Sequence, residues 1–175
     1  MARQWTGADI VQTAGAYWSS CVLQAAVQLD VFTALEKGPV EEAALARRLG
    51  CDPRAFSMLV TAMVAMGLAE RLPEGVAAPE ALVRVLSSNS ADYLGHIIKH
   101  QANIMPNWAR LAEAVRTGRP TAEQSTLFTE DAREREDFLM GMYNIARLQA
   151  ERIAEVLDLS GRERLIDVGG GPGTY

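Results

Sequence analysis

Residues 41–78 read EEAALARRLGCDPRAFSMLVTAMVAMGLAERLPEGVAA, and the punctuation inside this stretch decides the fold. Glu41 to Leu49 has apolar residues at helical spacing with acids in the first turn, where the helix dipole favours negative charge. Gly50-Cys51-Asp52 is a tight turn. Asp52 is a predicted N-cap, and Pro53 suits the first helical position, where an amide hydrogen has no intrahelical acceptor to lose. A second helix then runs to Met66 and stops at Gly67. Two short helices across such a turn form a helix-turn-helix. Leu68 to Leu72, the turn Pro73-Glu74-Gly75 and Val76 to Ala78 add a small hairpin, the wing. The stretch predicts a winged helix.

Towards the N-terminus, Val11, Ala14, Tyr17, Trp18, Val22, Ala25, Ala26, Leu29, Phe32 and Leu35 recur around almost the whole circumference of a helix predicted over Asp9 to Leu35. Gly38-Pro39 ends it. A helix apolar on every side needs more partners than so small a unit supplies, so the surplus implies a second copy of the chain. The expectation is an intertwined homodimer built mainly from residues before Leu86. The second helix of the helix-turn-helix would read DNA in a transcription factor. Between Pro53 and Met66, however, the only charged side chain is Arg54, while Phe56, Met58, Leu59, Val60, Met63, Val64 and Met66 favour burial. Such a helix is unsuited to phosphates.

Towards the C-terminus, Ala81 to Leu86 is a short apolar element, Ser87 to Ser90 a loop, and Tyr93 to Asn103 helical. Pro106 predicts a break near Met105, with a new helix through Trp108, Leu111 and Val115 to Gly118. A loop around Thr121 to Phe128 leads to a long helix, about Asp131 to Leu157. Its opening charges, Glu130 to Asp137, predict a solvated face, and its later turns carry Phe138, Leu139, Met142, Ile145, Ile153 and Val156. After Ser160-Gly161, Leu165-Ile166-Asp167-Val168 is a predicted short buried strand that runs into Gly169-Gly170-Gly171-Pro172-Gly173.

A strand that delivers an acid and then alternate glycines is suited to close approach of backbone to a ligand, because glycine adopts unusual dihedrals and carries no side chain to hold the ligand away. The dinucleotide fingerprint would need glycine at position 174, which is Thr174, and no Gly-Lys-Ser/Thr follows for a phosphate-binding loop of the Walker type. Nicotinamide, flavin and nucleoside triphosphate are disfavoured.

Composition sets the remaining bounds. At 49% hydrophobic and 22% charged residues the 175-residue chain has the makings of a substantial core, and the net charge of −5 argues against a broad nucleic-acid footprint. Cys21 and Cys51 lie far apart and in no metal-ligand spacing, so reduced, buried thiols are expected. His96 and His100 stand one helical turn apart without a third ligand at useful spacing, so no metal is expected. No apolar h-region follows Met1 and no apolar run is long enough to span a membrane, which makes a cytoplasmic location the default expectation.

Asp167-x-Gly169-x-Gly171-x-Gly173 resembles motif I of class I S-adenosylmethionine-dependent methyltransferases. The order of Tyr17-Trp18, Leu29-Asp30-Val31-Phe32, Leu45-Ala46, Leu49-Gly50, Met66-Gly67-Leu68, Trp108-x-x-Leu111 and Asp158-Leu159-Ser160-Gly161 is similar to small-molecule O-methyltransferases with an N-terminal winged-helix dimerisation domain. The resemblance implies a mainly α chain. A winged-helix-like dimerisation domain would fill residues 1–86 and helices flanking the substrate pocket residues 87–160. Residues 161–175 would begin a truncated α/β, Rossmann-like cofactor domain. It implies S-adenosylmethionine as cofactor, held by Asp167, Gly169, Gly171 and Gly173. An aromatic acceptor would touch His96, His100, Met105, Trp108, Phe138, Met142 and Tyr143. The family's ribose-binding acid and catalytic histidine would lie beyond Tyr175, so the 175 residues alone are expected to be inactive. The alternatives are a free-standing dimerisation module and a winged-helix DNA-binding regulator.

Overall fold

In the computed structural model, which describes residues 4–121 and 130–174, the chain divides into two compact units, Met1–Ala91 and Asp92–Tyr175. The loop expected around Thr121 to Phe128 lies, apart from Thr121, outside the described residues.

The first unit opens with α1 (Gly7–Gly15), α2 (Tyr17–Gln28) and α3 (Val31–Ala34) in place of one helix over Asp9 to Leu35. The first break falls at Ala16, whose amide bonds Thr13 O in a tightened turn. The second falls at Asp30, which sits in the left-handed region at φ 58°, a conformation a short polar side chain tolerates. Asp30 accepts a hydrogen bond from Thr33 Oγ1, and Thr33 Oγ1 in turn accepts one from the Ser88 amide at 2.8 Å. Hydrophobic periodicity cannot register a one-residue reversal of this kind, because the apolar positions continue through it.

The helix-turn-helix follows as predicted. Helix α4 (Glu42–Arg48) is capped by Glu41, whose carboxylate accepts from the amides of Ala43 and Ala44. Helix α5 (Pro53–Ala65) is capped by Asp52, which accepts from Ala55 N at 2.8 Å. The wing is a two-stranded antiparallel sheet, β1 (Glu70–Leu72) and β2 (Gly75–Ala77), shorter than the sequence suggested. Val40 adds a rung that the sequence did not signal: its amide and carbonyl pair with those of Val76 at 2.9 and 2.8 Å. Helix α6 (Glu80–Leu86) packs on α3. The core holds Val27, Val31, Phe32, Leu45, Phe56, Val60, Met63 and Val76, all fully buried.

Arg54 is the one charged side chain on α5 and is exposed. Met58 and Thr61 are exposed on α5, and the guanidinium of Arg71 donates to Thr61 Oγ1, Ser57 O and the Glu42 carboxylate at 3.0, 3.3 and 3.0 Å. Burial alone would raise the Glu42 carboxyl, but hydrogen bonds from Ser57 and Arg71 and the charge of Arg71 hold it below the usual carboxylate range. A surplus of apolar surface remains outside the core. Helix α1 buries no residue, and Ile10, Val11, Tyr17 and Trp18 are exposed.

In the second unit α7 (Gly95–Ala109) and α9 (Ala132–Val156) pair lengthwise, and α8 (Leu111–Thr117) packs on α7. The break expected near Met105 is absent: Pro106 lies inside α7, and the interruption comes at Arg110. Pro106 stands in the last turn, so its missing amide costs only the one bond to the Ala102 carbonyl, and its ring does not end the helix.

The pairing of α7 and α9 inverts the expected arrangement. The buried residues of α9 are Gly141, Asn144 and Ala146, whereas Leu139, Ile145, Leu148 and Val156 are exposed. A Cβ at Gly141 would lie 3.1 Å from Ile97 Cα, so the missing side chain is what lets the two backbones approach. Helix α7 has no side-chain cap of its own, and Asn144 supplies one from across the interface. Its Oδ1 accepts from Ile97 N at 3.3 Å and its Nδ2 donates to Tyr93 O at 2.8 Å. The Arg147–Asp92 ion pair at 2.7 Å adds a further tie.

The strand expected at Leu165 to Val168 does not form. Leu165, Ile166 and Val168 are 75, 81 and 90% exposed and belong to no strand. A strand exists only through ladder bonds to a neighbour, and the second unit has no other strand among the described residues. Cys21 and Cys51 are free thiols but half-buried rather than buried.

Candidate cofactor loop and acceptor wall

The glycine loop has the backbone that its sequence implies. Gly169, Gly171 and Gly173 all have positive φ, at 76°, 53° and 65°, and a Cβ on any of them would meet nothing within 4 Å. Left-handed residues at alternate positions turn successive amides towards a common concavity, which side chains would otherwise crowd. A turn bond from Gly173 N to Gly170 O at 2.9 Å closes the loop. The intervening Gly170 is constrained differently: a Cβ there would collide with the Asp167 carboxylate, which lies folded against it.

The loop faces the long helix. Phe138, Leu139, Met142, Ile145 and Ala146 of α9 and Gly169 to Pro172 with Thr174 line a cavity of about 370 Å³. Phe138 and Met142, expected on the acceptor side, therefore meet Gly169 and Gly171, expected on the cofactor side. Asp167 lines an adjacent crevice of about 470 Å³ with Ile153, Leu157, Ile166 and Thr174. Gly173 borders neither space. Thr174 borders both, and its Oγ1 is buried without a hydrogen-bond partner. A buried hydroxyl left unpaired costs on the order of 1–3 kcal/mol, so Thr174 has a hydrogen bond to offer beside these two spaces. In the sequence Thr174 served only to exclude the dinucleotide fingerprint.

The remaining expected acceptor residues are placed apart from this cavity. His96 Nδ1 lies 3.0 Å from Asp137 Oδ1, and the His96 ring stands edge-on to Tyr93. His100 is buried, packs edge-on to Phe138 at 5.1 Å between ring centroids, and has an unpaired Nδ1. Burial pushes the His100 imidazole down from its usual range, and the Asp137 charge opposes that shift without cancelling it. Met105 is half-buried, Tyr143 bonds Arg147, and Trp108 is exposed at 66%. Asp137 was expected on a solvated face but is half-buried against His96. Its signal was the spacing of Asp137, Gly141 and Asn144, four and three residues apart, which places all three on one face of α9.

The donor set fits S-adenosylmethionine: unobstructed left-handed glycines, an acid at the loop entrance, and an orphaned hydroxyl at its end. No helix of the described residues is long and apolar enough to cross a membrane.

The sequence model of the O-methyltransferase dimerisation domain matches residues 11–90, and that of the O-methyltransferase domain matches residues 108–175. The chain is 33% identical over 160 residues to 3-hydroxy-5-methyl-1-naphthoate 3-O-methyltransferase of Streptomyces sahachiroi, which covers 89% of this chain and 46% of that protein. An O-methyltransferase family protein from Burkholderia thailandensis superposes with a TM-score of 0.84 at 29% identity, covering 99% of this chain and 52% of the other. Human N-acetylserotonin methyltransferase in complex with SAM shares the fold, with a TM-score of 0.82 at 24% identity over 99% of this chain and 56% of the other. The chain spans about half the length of the relatives it matches. It belongs to the O-methyltransferase family, carrying that family's dimerisation domain and part of its methyltransferase domain.

Proposed function

We propose that this chain is the dimer-forming portion and cofactor loop of an enzyme that moves a methyl group from S-adenosylmethionine to a hydroxyl of a small aromatic or polyketide-like molecule. The observation that carries this reading is the cavity in which Phe138 and Met142 meet the left-handed glycines 169 and 171. When bound, the cofactor supplies an electrophilic methyl on a sulfonium. Gly169, Gly171, Gly173 and Thr174 would hold it through backbone amides and one hydroxyl, with Asp167 as the adjacent acid. Phe138 and Met142 would present an apolar, adaptable wall to the acceptor and keep water from it. His96, His100, Met105, Trp108 and Tyr143 are assigned to a wider acceptor surface on the same reading.

The partner is a second copy, joined through the exposed apolar residues of α1 and α2. The 175 residues alone are proposed to self-associate without transferring methyl groups, which is also what a free-standing dimerisation module would do. The exposure of Leu165, Ile166 and Val168 favours the view that the loop lacks the sheet that would stiffen it. Titration of S-adenosylmethionine into the chain by calorimetry is expected to give no measurable heat. Tight, stoichiometric binding would show that the loop works without a sheet and would overturn the inactive-portion reading.

A further inference from the structure

The chain contains two histidines, His96 and His100, and both lie on α7 facing α9. They stand in unequal places. His96 bonds Asp137 across the interface, and its Nδ1–H can donate to that carboxylate whether the ring is neutral or charged. His100, one turn further along, is 8% exposed, packs on Phe138 and has no partner for Nδ1. The charged groups around it are Asp137 and, one turn earlier on α9, Glu134. From α7 itself come His96 and Lys99. Where α8 packs on α7 there are Arg110 and Glu113, paired with each other, and Arg116. Asp137 is the group whose charge bears on His100, and His96 already holds it.

We propose that the α7–α9 pairing is a proton-operated joint, in which His100 is the sensor and its protonation loosens the wall that Phe138 presents to the glycine loop. A charged His100 is an unpaired buried cation. It competes with His96 for Asp137, which weakens the bond that ties the helices there. The sign follows from burial. His100 in the folded unit takes a proton less readily than in the unfolded chain, so its contribution to stability is complete above the ordinary histidine range, near pH 6.5, and is lost as pH falls below it. Because Phe138 touches His100 on one side and lines the cavity on the other, the loss reaches the candidate site. The joint does not depend on which reaction the family member performs.

The test uses this chain and two variants, His100→Leu and His96→Gln. Thermal melts from about pH 7.5 to about pH 5.5 are expected to show the wild type losing several degrees. His96→Gln should show a smaller loss, because Asp137 is then free to pair with a charged His100, and His100→Leu little or none. An undiminished loss in His100→Leu, or a larger loss in His96→Gln than in the wild type, would overturn the proposal. Should His100→Leu fail to fold, NMR titration of the wild type decides. The two ring signals, assigned from the spectrum of His96→Gln, must separate, with His100 protonating at lower pH than a free histidine. Titration of His100 at or above the free value would contradict the joint.

Discussion

The two units of this chain bury opposite kinds of surface. The first packs Phe32, Leu45, Phe56, Val60 and Met63 into a conventional apolar core and still leaves Tyr17 and Trp18 outside it. The second buries Gly141, Asn144 and Ala146 between its main helices and turns Leu139, Ile145 and Met142 towards a cavity. In the first, burial is the structure. In the second, a close backbone approach and a borrowed helix cap hold two helices together, and the apolar side chains line a cavity instead of the seam. A unit of the first kind is stable through side-chain volume, and one of the second kind through a few polar contacts, which makes it easier to perturb at single atoms.

The largest expected effect lies in the first unit. Phe56→Ala should cost about 3–5 kcal/mol, as a large ring leaves a fully packed core. Urea melts should lose that stability from the first unit while the histidine ring signals of the second stay in place, and equal loss from both would collapse the contrast. Next comes Asn144→Ala, which strands Ile97 N and Tyr93 O and should cost roughly 1–3 kcal/mol in the second unit. Hydrogen exchange at the first turn of α7 would report it, and unchanged protection there would show that the cap is dispensable. The smallest effect is expected for Ile166→Ser. With Ile166 exposed outside any strand, the change should stay within about 0.5 kcal/mol by thermal melting. A cost several times larger would mean that the strand expected from the sequence forms after all.

The same contrast explains how much could be read from the sequence. The helix-turn-helix was legible almost to the residue, because Glu41, Asp52, Pro53 and Gly67 are local signals with local causes. The long helix α9 was legible in extent for the same reason, Asp131 being its cap. Its facing was not, since hydrophobic spacing points large side chains inward and cannot anticipate that Gly141 and Asn144 form the buried seam. The single helix expected over Asp9 to Leu35 failed at Asp30, where one backbone reversal leaves the apolar pattern intact. The unusual backbone of Gly169, Gly171 and Gly173 was legible from their spacing. Thr174 and Asp137 were not, because an orphaned hydroxyl and a cross-helix bond exist only in three dimensions. The predicted strand at Leu165 to Val168 shows the converse limit, as a strand's sequence can be present while its ladder is not.

On the proposed reading, the surplus apolar face of the first unit brings two copies of this chain together. Sedimentation equilibrium of the 175-residue chain at micromolar concentration, with Trp18→Glu beside it, tests this most directly. Trp18 is 66% exposed, so the substitution leaves the core untouched. Twice the chain mass is expected for the wild type and a shift towards the single-chain mass for Trp18→Glu, with unchanged helical content. A wild type that sediments as a single chain would contradict it.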